Sequence, residues 1–385
     1  MHGDLADHRL HHTALTEYEY DGLSAKFGLA DGHAYHDLDT SQMLIVSRLS
    51  SIWRTASLSR QRDVEREFSG TFYSLAGQRS VVESDNFRIC TSASQSIDLA
   101  CAWLARARKK IALVEPTFDN LALIIRRWNI PLSPIAEDAL FSGSELSRHT
   151  RDVDAIFLVN PNNPTGSFLT RPAFEEIVEW CVRENKILVS DFCFRFFSRS
   201  FEDYYQILER SGVSYVAIED TGKTWPTMDM KASIIAYSAS LKAEIEEVFH
   251  EIFLGVSAFS IAVLTEFVKN TQEAGFDATL WPLVAEHRRQ FREAIGGSFL
   301  SIDPTAEKSS LGLEWVRIDD PEFDDMTLTA FLKQAGIACL PGRFFHWSMR
   351  NAAGQRNLRF SLLKPGRTIA QGFAQLSRAL ESARG

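Results

Sequence analysis

The sequence predicts an α/β fold: a large domain built on a mostly parallel, buried sheet, followed by a smaller α+β domain. Three observations predict it. Short apolar runs alternate with helix-period segments through the middle of the chain, as in sheets whose strands are buried on both faces. Past about residue 290 the alternation gives way to a mixed pattern. At 385 residues the chain also exceeds one typical domain, so one large and one smaller unit is the natural division.

Residues 1–14 are polar and carry His2, His8, His11 and His12, a composition that fits a frayed terminus better than a metal site. "SQSIDLACAWLARA" (94–107) has Ile97, Leu99, Ala100, Trp103 and Leu104 at helical spacing, and the apolar run of "KKIALVEPTFDN" that follows stops at Pro116. "AIFLV" (155–159) reads as a strand closed by "NPNNPTG", "RPAFEEIVEWCVREN" (171–185) as a helix, and "ILVS" (187–190), "YVAIED" (215–220) and "SIIAYS" (233–238) as further strands. Beyond residue 290, "LGLEWVRI" and "NLRFSLL" are strand-like, whereas "TLTAFLKQAG" and "TIAQGFAQLSRALESA" are helical. Ligands of such sheets sit at the carboxyl ends of the strands. Pro116–Phe118, Asn160–Gly166, Asp191 and Asp220–Lys223 all follow strand runs, so they are expected to face one crevice.

With 45% hydrophobic and 24% charged residues the composition is that of a soluble globular protein, and a formal charge of −9 argues against a nucleic-acid partner. The cysteines (Cys90, Cys101, Cys181, Cys193, Cys339) are scattered and form no C-x-x-C pair, which excludes a disulfide scaffold and a zinc knuckle. No run approaches transmembrane length and no signal-like apolar segment opens the chain, so a cytoplasmic protein is expected, with no membrane partner.

Chemistry concentrates in "IEDTGKTWPTMDMKAS" (218–233), where Lys223 follows a glycine-bearing turn and Lys231 stands eight residues on. Together with "NPNNPTG" (160–166), the strand-closing Asp191 and Arg359, this order resembles the fold-type I, aspartate-aminotransferase-like enzymes that use pyridoxal 5'-phosphate (PLP). The resemblance implies Lys223 as the Schiff-base lysine and general base, and Asp191 as the partner of the pyridine nitrogen. It implies Asn163 on the 3'-oxygen, Phe118 stacked on the ring, and Ser94, Gln95 and Lys231 around the phosphate. Arg359 is implied for the substrate α-carboxylate. It also implies a homodimer, with "FLGVSAFS" (253–260) supplying contacts. Where such transaminases carry a tyrosine after the aspartate, this chain has Phe194.

A narrower resemblance rests on "LTEYEY", "ADGHA", "PTFDN", "EDTGKTWPTMDMKA", "FLGVS" and "LPGRFFHW". These are similar to the PLP-dependent L-arginine oxidases and hydroxylases of natural-product biosynthesis, such as the enduracididine-pathway arginine hydroxylases. That resemblance implies an N-terminal lid, with Thr16, Glu19 and Asp220 around the guanidinium of L-arginine or an analogue. His33 is implied as the catalytic lid histidine. Dioxygen would be consumed through a quinonoid intermediate, giving 4-hydroxy-2-ketoarginine, or 2-ketoarginine or a dehydroarginine. In this scheme residues 1–50 form the lid and part of the small domain, 51–288 the large PLP-binding domain and 289–385 the C-terminal small domain. Other readings stay open. Thr16 and Glu19 also fit a capping box, and His346 fits either a place near the site or a packed histidine beside Trp347. The chain also fits an ordinary aminotransferase of an arginine-like amino acid, or a PLP-dependent cyclase of hydroxyarginine. Cys193 stands where the family has a serine. A non-catalytic PLP-binding regulator is disfavoured, because no basic DNA-binding segment precedes the fold.

Overall fold

The computed structural model describes residues 14–199, 201–348 and 353–383. The four N-terminal histidines lie outside them. A seven-stranded sheet runs in the order Phe87–Cys90, Ser233–Tyr237, Tyr215–Asp220, Ile187–Asp191, Ala155–Val159, Ile111–Glu115, Leu132–Ala136. Only Ser233–Tyr237 is antiparallel to its neighbours. Every residue of Ala155–Val159, Ile187–Asp191 and Tyr215–Asp220 is buried, which is why these strands read as unbroken apolar runs.

Both edges of the sheet escaped the sequence reading. Phe87–Cys90 is only four residues long, and Leu132–Ala136 contains Pro134, which lacks a ladder donor and suits an edge. In the centre, register sets Val159 beside Asp191 and Asp191 beside Ile218, so successive loops leave the sheet at nearly one level.

A second, antiparallel sheet has the order Leu340–Pro341, Asn357–Ser361, Leu313–Ile318, Leu300–Ile302. Helices Leu280–Ile295 and Gly366–Ser382 pack against each other beside it. The N-terminal segment is woven into this region. Phe27–Gly28 pairs with Ile337–Ala338, Ser361 donates its N–H to Leu29 O at 2.7 Å, and Tyr35 N–H reaches Leu363 O at 2.9 Å. One residue earlier, Ala34 N–H reaches Gly222 O at 2.9 Å, which ties the same segment to the loop bearing Lys223.

Beneath that loop lies a buried ion pair. Arg195 binds Glu219 through Nε at 3.0 Å and Nη2 at 2.6 Å, and Tyr205 donates its hydroxyl to the same carboxylate at 3.0 Å. Removing one charge leaves the other stranded. Glu219→Gln is expected to destabilise the fold by about 3–5 kcal/mol, measured by denaturant unfolding, whereas replacing both partners with apolar residues costs less. Among the described residues no helix is long and apolar enough to cross a membrane.

Candidate active site

A cavity of about 290 Å³ opens where the parallel strands of the large sheet end. Its lining includes Thr16, Glu19, His33, Ser94, Phe118, Asn163, Asp191, Asp220, Lys223, Lys231 and Arg359, that is, every residue to which the resemblance gives a catalytic or binding role except Gln95.

One end is built on helix Ala93–Arg106. Ser92 caps it by accepting from Gln95 N–H at 3.3 Å, so the helix starts ahead of Ser94. Ser92, Ala93 and Ser94 line the cavity around this first turn, with Lys231 in the same lining. A helix N-terminus and an ammonium group lining one cavity suit a phosphate. Gln95 is exposed: its amide serves Ser92 and its side chain accepts the Thr91 hydroxyl.

The floor carries Asp191, which accepts Cys193 N–H at 2.8 Å. Burial holds its carboxyl above the usual range, and the neighbouring Asp220 pushes the same way, while Cys193 and Lys223 oppose. Burial likewise pushes the Cys193 thiol up, so it is an inert wall beside Phe194 rather than a nucleophile. Lys223 Nζ lies 6.0 Å from the centre of the Phe194 ring and 3.5 Å from His33 Nε2.

His33 is held from behind by Asp31, whose carboxylate meets Nδ1 at 2.6 Å and the His33 N–H at 3.0 Å. With Nδ1 donating to Asp31, Nε2 is the acceptor, 3.1 Å from Lys231 Nζ. Burial alone would raise the Asp31 carboxyl, but the His33 hydrogen bond and the nearby charges of Lys364 and Lys223 hold it well below the usual range. Lys364 lies 3.7 Å from Asp31 and over the Tyr35 ring, and burial lowers its pKa to about 8. Ser92, Asp31 and Lys364 were not singled out from the sequence. Of these, only Asp31 had a local signal, its place in "ADGHA".

Gly222 explains why a glycine precedes the lysine. A Cβ there would lie 3.1 Å from both His33 Cδ2 and Lys231 Cδ, and 3.3 Å from Asp220 Oδ2.

The first described helix is Leu15–Gly22. Ala14 is its N-cap and supplies no side-chain bond, so the capping-box reading of Thr16 and Glu19 does not hold. Leu15 N–H is instead taken by Asp119 at 3.1 Å. Glu19 turns inward and accepts from Arg359 Nη2 at 3.0 Å and from Gly32 N–H at 3.4 Å. Arg359 is 1% exposed, sits 5.6 Å from the Phe118 and Phe345 rings, and reaches Asn163 Oδ1 at 3.4 Å and the Ala30 carbonyl. Asp220 is 3% exposed; its Oδ2 accepts Gly222 N–H at 3.1 Å, and its Oδ1 is buried with no hydrogen-bond partner among the described residues. His346 is not part of the lining.

These residues fit PLP. The buried Asp191 carboxylate suits a protonated ring nitrogen, the capped helix start and the Lys231 ammonium suit a phosphate, and Lys223 is a primary amine in the same cavity. Residues 61–370 match the family Aminotransferase class I and II. The chain belongs to that family. This aminotransferase-family chain is 22% identical over 303 residues to aromatic-amino-acid aminotransferase 2 of Thermococcus litoralis, covering 76% of this chain and 75% of the relative. Among solved structures, that of MppP soaked with the product 2-ketoarginine aligns with a TM-score of 0.85 at 30% identity, over 92% of this chain and 99% of that one. Aspartate aminotransferase from Thermus thermophilus with maleate shares the fold at 13% identity, with a TM-score of 0.76 over 96% and 97% of the two chains. A PLP-bound structure from Clostridium difficile 630 does so at 16% identity, with a TM-score of 0.73 over 96% of each. The aminotransferase-family fold is thus aspartate-aminotransferase-like, and its cofactor is PLP.

Proposed function

We propose that the chain is a PLP- and dioxygen-dependent L-arginine oxidase, releasing ammonia and a 2-ketoacid with or without hydroxylation at C4. The observation that carries the reading is a pair of carboxylates, Glu19 and Asp220, in one small cavity with Lys223 and Arg359; one Asp220 oxygen is buried without a hydrogen-bond partner among the described residues. An amino acid with a guanidinium side chain would supply the missing donors. The likeness to MppP, whose product is 2-ketoarginine, supports the same substrate.

When bound, the cofactor supplies an electron sink for the pair left at the substrate α-carbon. Lys223 holds the cofactor and moves the proton at that carbon. Asp191 holds the proton on the ring nitrogen. His33, oriented by Asp31, presents Nε2 as a proton acceptor near Lys223. The lid covers the cavity and limits water at the reacting atoms. The reading includes a cytoplasmic homodimer, whose interface would cover exposed apolar side chains such as Trp53, Leu58, Ile252 and Leu254.

Family membership favours a second reading, transamination. The test is oxygen consumption by the holoenzyme with L-arginine, with products identified by mass spectrometry. Oxygen uptake and a 2-ketoarginine-class product are expected without any keto-acid acceptor; oxygen-independent turnover that requires one would overturn the proposal.

A further inference from the structure

Asp31 carries two partners on two different oxygens. His33 Nδ1 meets Oδ1 at 2.6 Å, and the Lys364 ammonium lies 3.7 Å from Oδ2. Lys364 is 5% exposed and follows strand Asn357–Ser361, where Leu363 O accepts Tyr35 N–H and Gly366 N–H reaches Asp37 at 2.8 Å. Its place beside the segment that bears His33 is therefore fixed by main-chain bonds. A buried ammonium is costly unless it serves a partner, and none of the roles assigned to Lys223, Asp191 or His33 requires this one.

We infer that Lys364 is a positioning residue for His33: through Asp31 it holds the imidazole in its neutral form, with Nδ1–H on the carboxylate and the Nε2 lone pair toward Lys223. The reason is electrostatic. A buried carboxylate facing an imidazole alone favours the imidazolium, whose Nε2 carries a proton and cannot accept. A cation on the other oxygen of that carboxylate offsets its charge and repels a positive ring, so the neutral form gains. Lys223 and Lys231, 3.5 Å and 3.1 Å from Nε2, press the same way, while Asp220 across Gly222 and Asp229 beside Lys231 oppose. On its own side Lys364 faces Asp31 and the Tyr35 ring, with Glu19, Lys223 and Arg359 acting at longer range. Burial lowers the Lys364 pKa to about 8 against the pull of Asp31, so the side chain keeps its proton at neutral pH. The use of Nε2 as a proton acceptor rests on the proposed function; the coupling of Lys364 to the ring rests on the contacts alone.

The test is the titration of His33 in substrate-free holoenzyme, followed by NMR of its isotope-labelled Cε1–H and assigned with His33→Gln. Lys364→Met is expected to raise the midpoint by about one pH unit, because Asp31 is left to the imidazole alone. Lys364→Gln makes the same test if the methionine variant does not fold. Lys364→Arg keeps the charge and is expected to leave the midpoint in place. In an Asp31→Asn background Lys364→Met is expected to move it by less than about 0.3 unit, since the link is gone. With L-arginine, the acid limb of kcat/KM in Lys364→Met is expected to move up by the same amount and the rate to recover above it, whereas a packing defect lowers the rate at every pH. A midpoint in Lys364→Met within about 0.3 unit of wild type, an Arg variant that behaves like the Met variant, or a full shift in the Asp31→Asn background would each overturn the inference. A midpoint that moves as expected in an enzyme that does not oxidise arginine would leave the coupling standing and remove only the proposed reaction.

Discussion

Lys223→Ala is expected to lose turnover by more than about 10,000-fold, together with the visible absorbance of lysine-bound cofactor. On the proposed reading two functions would disappear at once: the covalent hold on PLP and the amine that moves the proton at the α-carbon. Its neighbours in the site are not expected to replace it. Lys231 Nζ is engaged by His33 Nε2 at 3.1 Å and by Asp229 at 3.5 Å, and Lys364 is directed to Asp31. Added small primary amines should restore part of the rate, because the cavity vacated by the side chain admits them. Absorbance spectra and amine-dependent kinetics check both points; an alanine variant with the wild-type spectrum would refute the assignment.

Asp191→Asn should lower kcat by about 1,000-fold with a much smaller change in KM. The carboxylate is 6% exposed, and its burial already pulls it toward the neutral form. On the proposed reading, a protonated ring nitrogen of the bound cofactor would supply the positive charge that keeps Asp191 ionised, and the carboxylate would in turn hold that proton. An asparagine of the same shape does neither. Steady-state kinetics separates this from a binding defect, since on the proposed reading Asp191 serves the cofactor ring and Arg359 the substrate carboxylate. A variant with unchanged kcat and raised KM would remove Asp191 from this role.

The central strands were legible because burial on both faces forces an apolar run, and the site motifs follow them because aligned strands deliver their loops to one level. What was illegible depended on tertiary context. "TSASQS" offers three serines as helix caps, and only packing selects Ser92 over Ser94. Asp31 and Lys364 are more than three hundred residues apart and meet only because residues 29–35 are hydrogen-bonded to 361–363. The Thr16–Glu19 spacing matched a local cap, but the Arg359 guanidinium competes for Glu19 and Asp119 takes the helix's first N–H.

On the proposed reading, the backbone pairing of residues 27–35 separates what would admit the substrate from what would react with it. His33 sits on a segment fastened to Ala338, Ser361, Leu363 and Gly222 by main-chain bonds, whereas Leu15–Gly22 is attached through side chains such as Glu19 to Arg359 and Asp21 to Lys333. Those eight residues behave as a cassette. A chimaera that exchanges them can change which amino acid enters while the imidazole stays parked beside Lys223, so diversification of diet need not disturb the chemistry.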